Sequence, residues 1–292
     1  MRIVQLLLLG AMLAIPTLVT AFDFGKLIEK VKDADVGKII DVGKRMVTAT
    51  QQMSEDEEIR LGQDLGGRLL GAMPPLPDPE VQAFVNRLGR WLSLQTERPD
   101  LPWHFAIVAN DSLGAFATPG GNVFVTSALV SLMRDESELA GVLAHEIAHV
   151  IERHHVNAVM KKARAGLTRD LVADVAAEYT GGNPMVAQVL LDSGMNVYAS
   201  GLDHEDEFAA DKAGMLLAAR AGYDPFGLLM LLTTLDALDP AEPRASLLFS
   251  THPDTRTRVE RLADLTEDLQ ADYPSLLRSA ERFEAMQSTL MQ

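Results

Sequence analysis

The chain has 292 residues, a formal net charge of −15, 47% hydrophobic residues and no cysteine. So acidic a surface repels phosphate backbones and anionic headgroups, which argues against nucleic acid as a partner. Without cysteine there is no disulfide and no lipid attachment through a cysteine after a signal, so a hydrophobic core must carry stability alone.

Residues 1–21 combine Arg2, an apolar stretch from Ile3 to Ile15 and the small-residue end Val19-Thr20-Ala21, the layout of a secretory signal cut after Ala21. Gln5 and Pro16 interrupt the apolar run, which falls short of the ~20 residues a spanning helix needs. Retention as a membrane anchor is the alternative. Residues 22–53 scatter Leu27, Ile28, Val31, Ile39, Ile40, Val42 and Met46 among Lys and Asp, an amphipathic helical pattern. It suits an arm packed on the body, a dimer contact or a peripheral membrane surface.

Ser54 and Glu57 form a capping box for a helix through Ile59, Leu61, Leu65 and Leu69 that stops at the turn-rich MPPLPDP of 73–79. Asp78 and Pro79 open a second helix through Val81, Phe84, Leu88 and Trp91. Strands are expected at Trp103–Val108 and Asn122–Thr126, separated by the Gly- and Pro-rich SLGAFATPGG. The edge of this small sheet could run past a site and take up an extended peptide, or the two strands could be an ordinary hairpin under the core.

In DESELAGVLAHEIAHVIERHH, residues 135–155, Asp135 and Glu138 resemble a capping pair, and Leu139, Val142, Leu143, Ile147 and Val150 recur at helical spacing. His145 and His149 lie four apart on that buried helix, so both imidazoles leave one face about a turn apart, the bite needed for one zinc ion. Glu146 beside them can act as the base that deprotonates an attacking water. His154 and His155 fall five and six residues past His149, off the ligand stripe, where capping or packing is favoured over chemistry. His104 reads as structural. Residues 156–200 read as helices broken around EYTGGNP and able to cover a cleft.

An open zinc site takes a third protein ligand from a second element. In DHEDEFAADKAGMLLAARAG, Glu207 and Asp211 share a helix face. They could be a ligand and its neighbour, or part of a solvated acidic first turn. His204, one turn before Glu207, could approach the metal. Later, His252 precedes Pro253, suggesting a helix start.

HEIAH, then EFAAD some sixty residues on, then STHPDTRTR together resemble peptidase family M48, which includes the HtpX heat-shock protease, the CAAX prenyl endopeptidases and the periplasmic BepA-type proteases. SEDEEIRLG and NDSLGAFATPGGNVFVTSAL extend the resemblance over most of 54–265. Asp203 and His204 stand where the family often has Ser-Arg. The resemblance implies Glu207 as third zinc ligand, Asp211 as its neighbour bearing on His145, and His252 at the active site, either on the open zinc position or facing substrate. Arg258, at the motif's Arg, would pair with a cleft carboxylate or stabilise an oxyanion.

The expected fold is mainly α with a small β-sheet, a gluzincin-type metallopeptidase domain over 54–292 with an HExxH helix and an ExxAD helix. The expected function is zinc endopeptidase action in the periplasm on unfolded or misassembled exported and outer-membrane proteins. The alternative is a periplasmic chaperone or adaptor with a latent or closed zinc site.

Overall fold

The computed structural model describes residues 53–162, 201–239, 242–245, 248, 251–252, 255–266, 269, 273 and 279–290. The expected signal, all of the amphipathic segment except Met53, and the cleft-covering stretch beyond 162 lie outside them.

Helix α1 spans Glu55–Ala72 behind the Ser54 and Glu57 capping box. Helix α2, Pro79–Ser93, starts where Asp78 Oδ1 accepts from the Glu80 and Val81 N–H groups. Both caps act as their residue types predict, by giving free first-turn donors a carboxylate or hydroxyl partner.

The sheet has three strands where two were expected. β1 is His104–Val108, β2 is Ala115–Thr118 and β3 is Asn122–Thr126, in the order β1-β3-β2. β1 runs parallel to β3, so these two are not arms of a hairpin; the hairpin is β2 with β3, Phe116 facing Phe124 in register. β2 lies in the Gly- and Pro-rich stretch that separates the two expected strands, its AFAT followed closely by the glycines that build its turn. Gly120 and Gly121 both sit at positive φ, 76° and 105°, where a side chain would be strained. All four β2 residues are buried.

A short helix α3, Ser127–Leu132, leads to α4, Glu136–Ile151, every residue of which is buried from Glu136 to Val150. Asp135 caps it, accepting from the Ser137 and Glu138 N–H groups. Glu138 does not complete a capping box; its carboxylate takes the Arg134 N–H and guanidinium. Helix α5, His204–Arg220, lies against α4. The approach is close because Gly214 faces the backbone of His145: a Cβ there would sit 2.9 Å from the His145 nitrogen. Helices α6 (Gly227–Asp236) and α7 (Thr255–Ala263) complete the packing on this side. The last helix, α8 (Ala280–Leu290), buries Phe283, and its Arg282 pairs with Glu136 at the start of α4. Tyr223 donates to the same carboxylate. The layout is the expected mostly helical fold with a small sheet, and α4 runs through its middle.

Candidate metal centre

On α4 the Nε2 atoms of His145 and His149 are 3.0 Å apart, converging on one point. Glu207, from the first turns of α5, brings Oε2 to 3.7 Å from the first and Oε1 to 3.6 Å from the second. His252 closes the group: one donor atom from each of His145, His149, Glu207 and His252 lies within 4.8 Å of the others. Among the described residues, neither buried Glu207 oxygen has a hydrogen-bond partner. A buried carboxylate facing two imidazole lone pairs is costly unless a cation sits between them, and three nitrogens and a carboxylate suit zinc. The residues therefore fit such an ion.

The electrostatics agree. Burial pushes the Glu207 carboxyl up to about 8, against the pull of Arg258. Burial also lowers His145, His149 and His252, keeping the imidazoles neutral and able to donate lone pairs. Burial alone would raise Asp211, but Arg258 and His145 hold it well below the usual carboxylate range. Asp211 Oδ1 is 2.9 Å from His145 Nδ1, at an angle short of a well-aligned hydrogen bond. Arg258 clasps Asp211 with Nε at 2.8 Å and Nη2 at 2.6 Å, and its Nη1 is 3.4 Å from Glu207. Of the two tasks expected of Arg258, the structure displays the carboxylate pairing.

Glu146 points to the other wall. Burial, with Glu207 adding to it, pushes its carboxyl up to about 8, opposed by Arg258 and by the Ala117 N–H of β2, which donates to it. Beside it is a cavity of about 10 Å³ lined by Ala115, Phe116, His155, Leu202 and His252, room for one water. His252 Nε2 is 3.6 Å from Glu146. The Thr251 hydroxyl donates to the Leu248 carbonyl and sits 3.0 Å from His252 Nδ1. With the hydroxyl proton on Leu248, Thr251 can accept from Nδ1–H, the tautomer that would leave the Nε2 lone pair toward the cluster. The expected helix start at His252 is corrected: its N–H donates to Leu248, four residues back, so it ends a helical turn.

Two expectations about the remaining histidines change. The spacing places His154 and His155 at the far end of the metal helix, off the ligand stripe; α4 instead stops at Ile151, Arg153 turns at φ 58°, and both rings come back against His149. The ERHH run after HExxH, with no glycine to mark the break, gave no sign of this. His204 is exposed and outside the donor group. His104 is exposed on β1, with its Nδ1 on the Pro102 carbonyl, as a structural residue would be.

A profile described as Peptidase family M48 matches residues 75–266. Among curated relatives, the beta-barrel assembly-enhancing protease of Escherichia coli strain K12 is 29% identical over 277 residues, covering 92% of this chain and 54% of the relative. Its namesake from Yersinia pestis is 30% identical over 247 residues, covering 80% and 49%. The mitochondrial metalloendopeptidase OMA1 of Schizosaccharomyces pombe is 26% identical over 220 residues, covering 75% and 62%. The chain thus spans about half the length of the beta-barrel assembly-enhancing proteases it matches.

Proposed function

The chain belongs to peptidase family M48, and on that premise we propose that it is a zinc-dependent endopeptidase of the cell envelope acting on misfolded or misassembled exported and outer-membrane proteins. The observation that carries the reading is the convergence of His145, His149 and Glu207, with neither Glu207 oxygen hydrogen-bonded among the described residues, beside the buried carboxyl of Glu146. His145, His149 and Glu207 would hold the ion, and His252 is a fourth donor. Bound zinc supplies Lewis acidity toward a carbonyl and toward water.

The chain's own residues do the rest. Glu146, raised toward neutrality by burial, accepts a proton from the attacking water and returns it to the leaving amine. Asp211 and Arg258 are positioning residues: Asp211 bears on His145 from behind, and Arg258 balances both Asp211 and Glu207. The β2 edge lies beside Glu146 and suits a substrate bound as an added strand.

The substrate class is favoured by the relatives named beta-barrel assembly-enhancing protease. Periplasmic location rests on the signal-like first 21 residues, and among the described residues no helix is long and apolar enough to cross a membrane. Residues 22–53 are proposed as a separate amphipathic segment preceding the peptidase domain of 54–292.

The position of His252 within the donor group favours a second reading, an envelope chaperone whose zinc site is closed. Digestion of a denatured outer-membrane protein by the purified mature chain, abolished by a chelator and restored by zinc, is the expected result. Binding of that protein without any cleavage would favour the chaperone, and neither binding nor cleavage would remove both readings.

A further inference from the structure

We propose that His154 is a positioning residue for His149, the middle link of a Glu152–His154–His149 relay that fixes which ring nitrogen of His149 faces the donor cluster. The inference rests on the metal-centre reading above and extends it to a residue outside the four donors.

The two histidines of α4 are supported differently. His145 has Asp211 behind its Nδ1. His149 has no carboxylate there among the described residues; its Nδ1 is 3.0 Å from Nδ1 of His154, with the rings edge to face at 73° and both buried. Two ring nitrogens at that distance must share one proton between a donor and an acceptor. The far side of His154 decides which is which. Its Nε2 is 3.3 Å from Glu152 Oε2 and 3.8 Å from Asp206 Oδ1, and a carboxylate only accepts. The neutral ring of His154 then keeps its proton on Nε2 and offers the Nδ1 lone pair. His149 must then carry its proton on Nδ1, which leaves Nε2 as the lone pair facing His145 Nε2 and Glu207. Holding a ligating imidazole in one tautomer and orientation is what such outer partners do for metal histidines.

The backbone is arranged to make this contact. On a continuous helix, a residue five positions past His149 would lie about 140° round the axis, on another face. The chain breaks after Ile151, and Arg153 takes the left-handed conformation at φ 58°, which a non-glycine residue adopts only when its surroundings hold it there. Its guanidinium is held by the Met53 carbonyl at 2.6 Å and by the buried carboxylate of Glu58 at 3.1 Å. Arg98 grips the same carboxylate and the Val150 carbonyl at the end of α4. The strained turn thus has a product: it sets His154 against His149.

Competition for zinc against a graded series of chelator tests the relay on the full mature chain. His154→Leu, which removes the acceptor, should bind zinc on the order of 10- to 100-fold more weakly than wild type. His154→Asn, whose Oδ1 can stand in for the lost lone pair, should recover most of that loss. Cobalt-loaded protein should show altered absorption bands in the Leu variant and near wild-type bands in the Asn variant. A Leu variant that holds zinc as tightly as wild type, or an Asn variant no better than Leu, would overturn the relay. Should the Leu variant not fold, nitrogen-15 spectra of the zinc-loaded wild type decide: protons on His149 Nδ1 and His154 Nε2, with a coupling across the bridge, are expected, and a proton on His154 Nδ1 overturns the proposal. A wild-type chain that binds no zinc would overturn the metal reading and this inference with it; zinc binding indifferent to the variants overturns this inference alone.

Discussion

The two walls of the cleft are built on different principles. One is α4 with α5 and Arg258 of α7: its donors stand on long buried helices, and its outer charges are tied to one another at hydrogen-bond distance. The other is the edge strand β2 with the turn that ends at His252, which contributes a backbone N–H, a few apolar side chains and one imidazole. The first wall fixes charges at a point and is expensive to disturb. The second borders the water-sized cavity and has fewer constraints, which suits the side that receives a polypeptide. Glu146 joins them: it is anchored on α4, yet its carboxylate takes the Ala117 N–H of β2.

The sharpest way to separate the walls is at that joint. Glu146→Gln retains the volume and the contact with β2 but cannot accept a proton. Turnover should fall by roughly 10²- to 10⁴-fold while metal analysis shows unchanged zinc. Near wild-type cleavage by this variant would remove Glu146 as the base.

Next in size is Arg258→Leu, which leaves Asp211 and Glu207 buried without their cation. Breaking such a network costs roughly 3–5 kcal/mol, to be read as a lower denaturant midpoint of the metal-free chain, with part of the loss restored by zinc. The pH dependence should change as well. Asp211 is held below its unfolded pKa of about 3.9, so its stabilisation is complete above that value and is lost only as pH falls through the lower folded pKa. Without Arg258, burial pushes the folded pKa upward instead; once it exceeds the unfolded value the sign reverses, and the variant loses most stability at neutral pH and regains some as pH falls and Asp211 is protonated. Unchanged stability at every pH would mean that the helical wall does not depend on this charge pairing.

A smaller effect is expected at the crossing of α4 and α5. Gly214→Ala puts a methyl group 2.9 Å from the His145 nitrogen, an overpacking worth about 1–3 kcal/mol. Because the same shift moves Glu207 and Asp211 away from His145 and His149, zinc should bind more weakly in proportion to the lost stability. A variant that loses stability but keeps full zinc affinity would show that the site tolerates movement between the helices.

The walls were also unequally legible in the sequence. A helix repeats its face every few residues, so His145, Glu146 and His149 could be placed together on α4 from spacing alone, and so could Glu207 and Asp211 on α5. What spacing could not decide was whether the acidic turn of α5 faced solvent or the histidines; the family motif supplied that, and Gly214 is the residue that lets the helices meet. The strand wall was harder. β2 is four residues long and sits among glycines, too short a pattern to mark a strand of its own, and its pairing with β3 depends on a turn made by Gly120 and Gly121. The return of His154 to His149 depends on a left-handed arginine, for which sequence carries no mark.

His252 offers the finest test of the contrast, because it belongs to the looser wall and yet reaches the donors of the tighter one. It lies close enough to share an ion with His145, His149 and Glu207, and the Thr251 hydroxyl beside its Nδ1 suits the tautomer that offers Nε2. A fourth protein donor in that position competes with the water that hydrolysis requires. If the ring occupies the position for most of the time, the active fraction is what remains, and the observed rate is the intrinsic rate scaled by that fraction. Removing the ring then raises the rate by the inverse of the fraction. His252→Ala should accordingly cleave a denatured protein several-fold faster than wild type, a change of about 1 kcal/mol, with one zinc per chain retained on the other three ligands. Initial rates measured beside metal analysis separate the cases. A fall in turnover with zinc retained would show that the ring contacts the reacting groups instead of blocking them, and a loss of zinc would make His252 part of the tight wall.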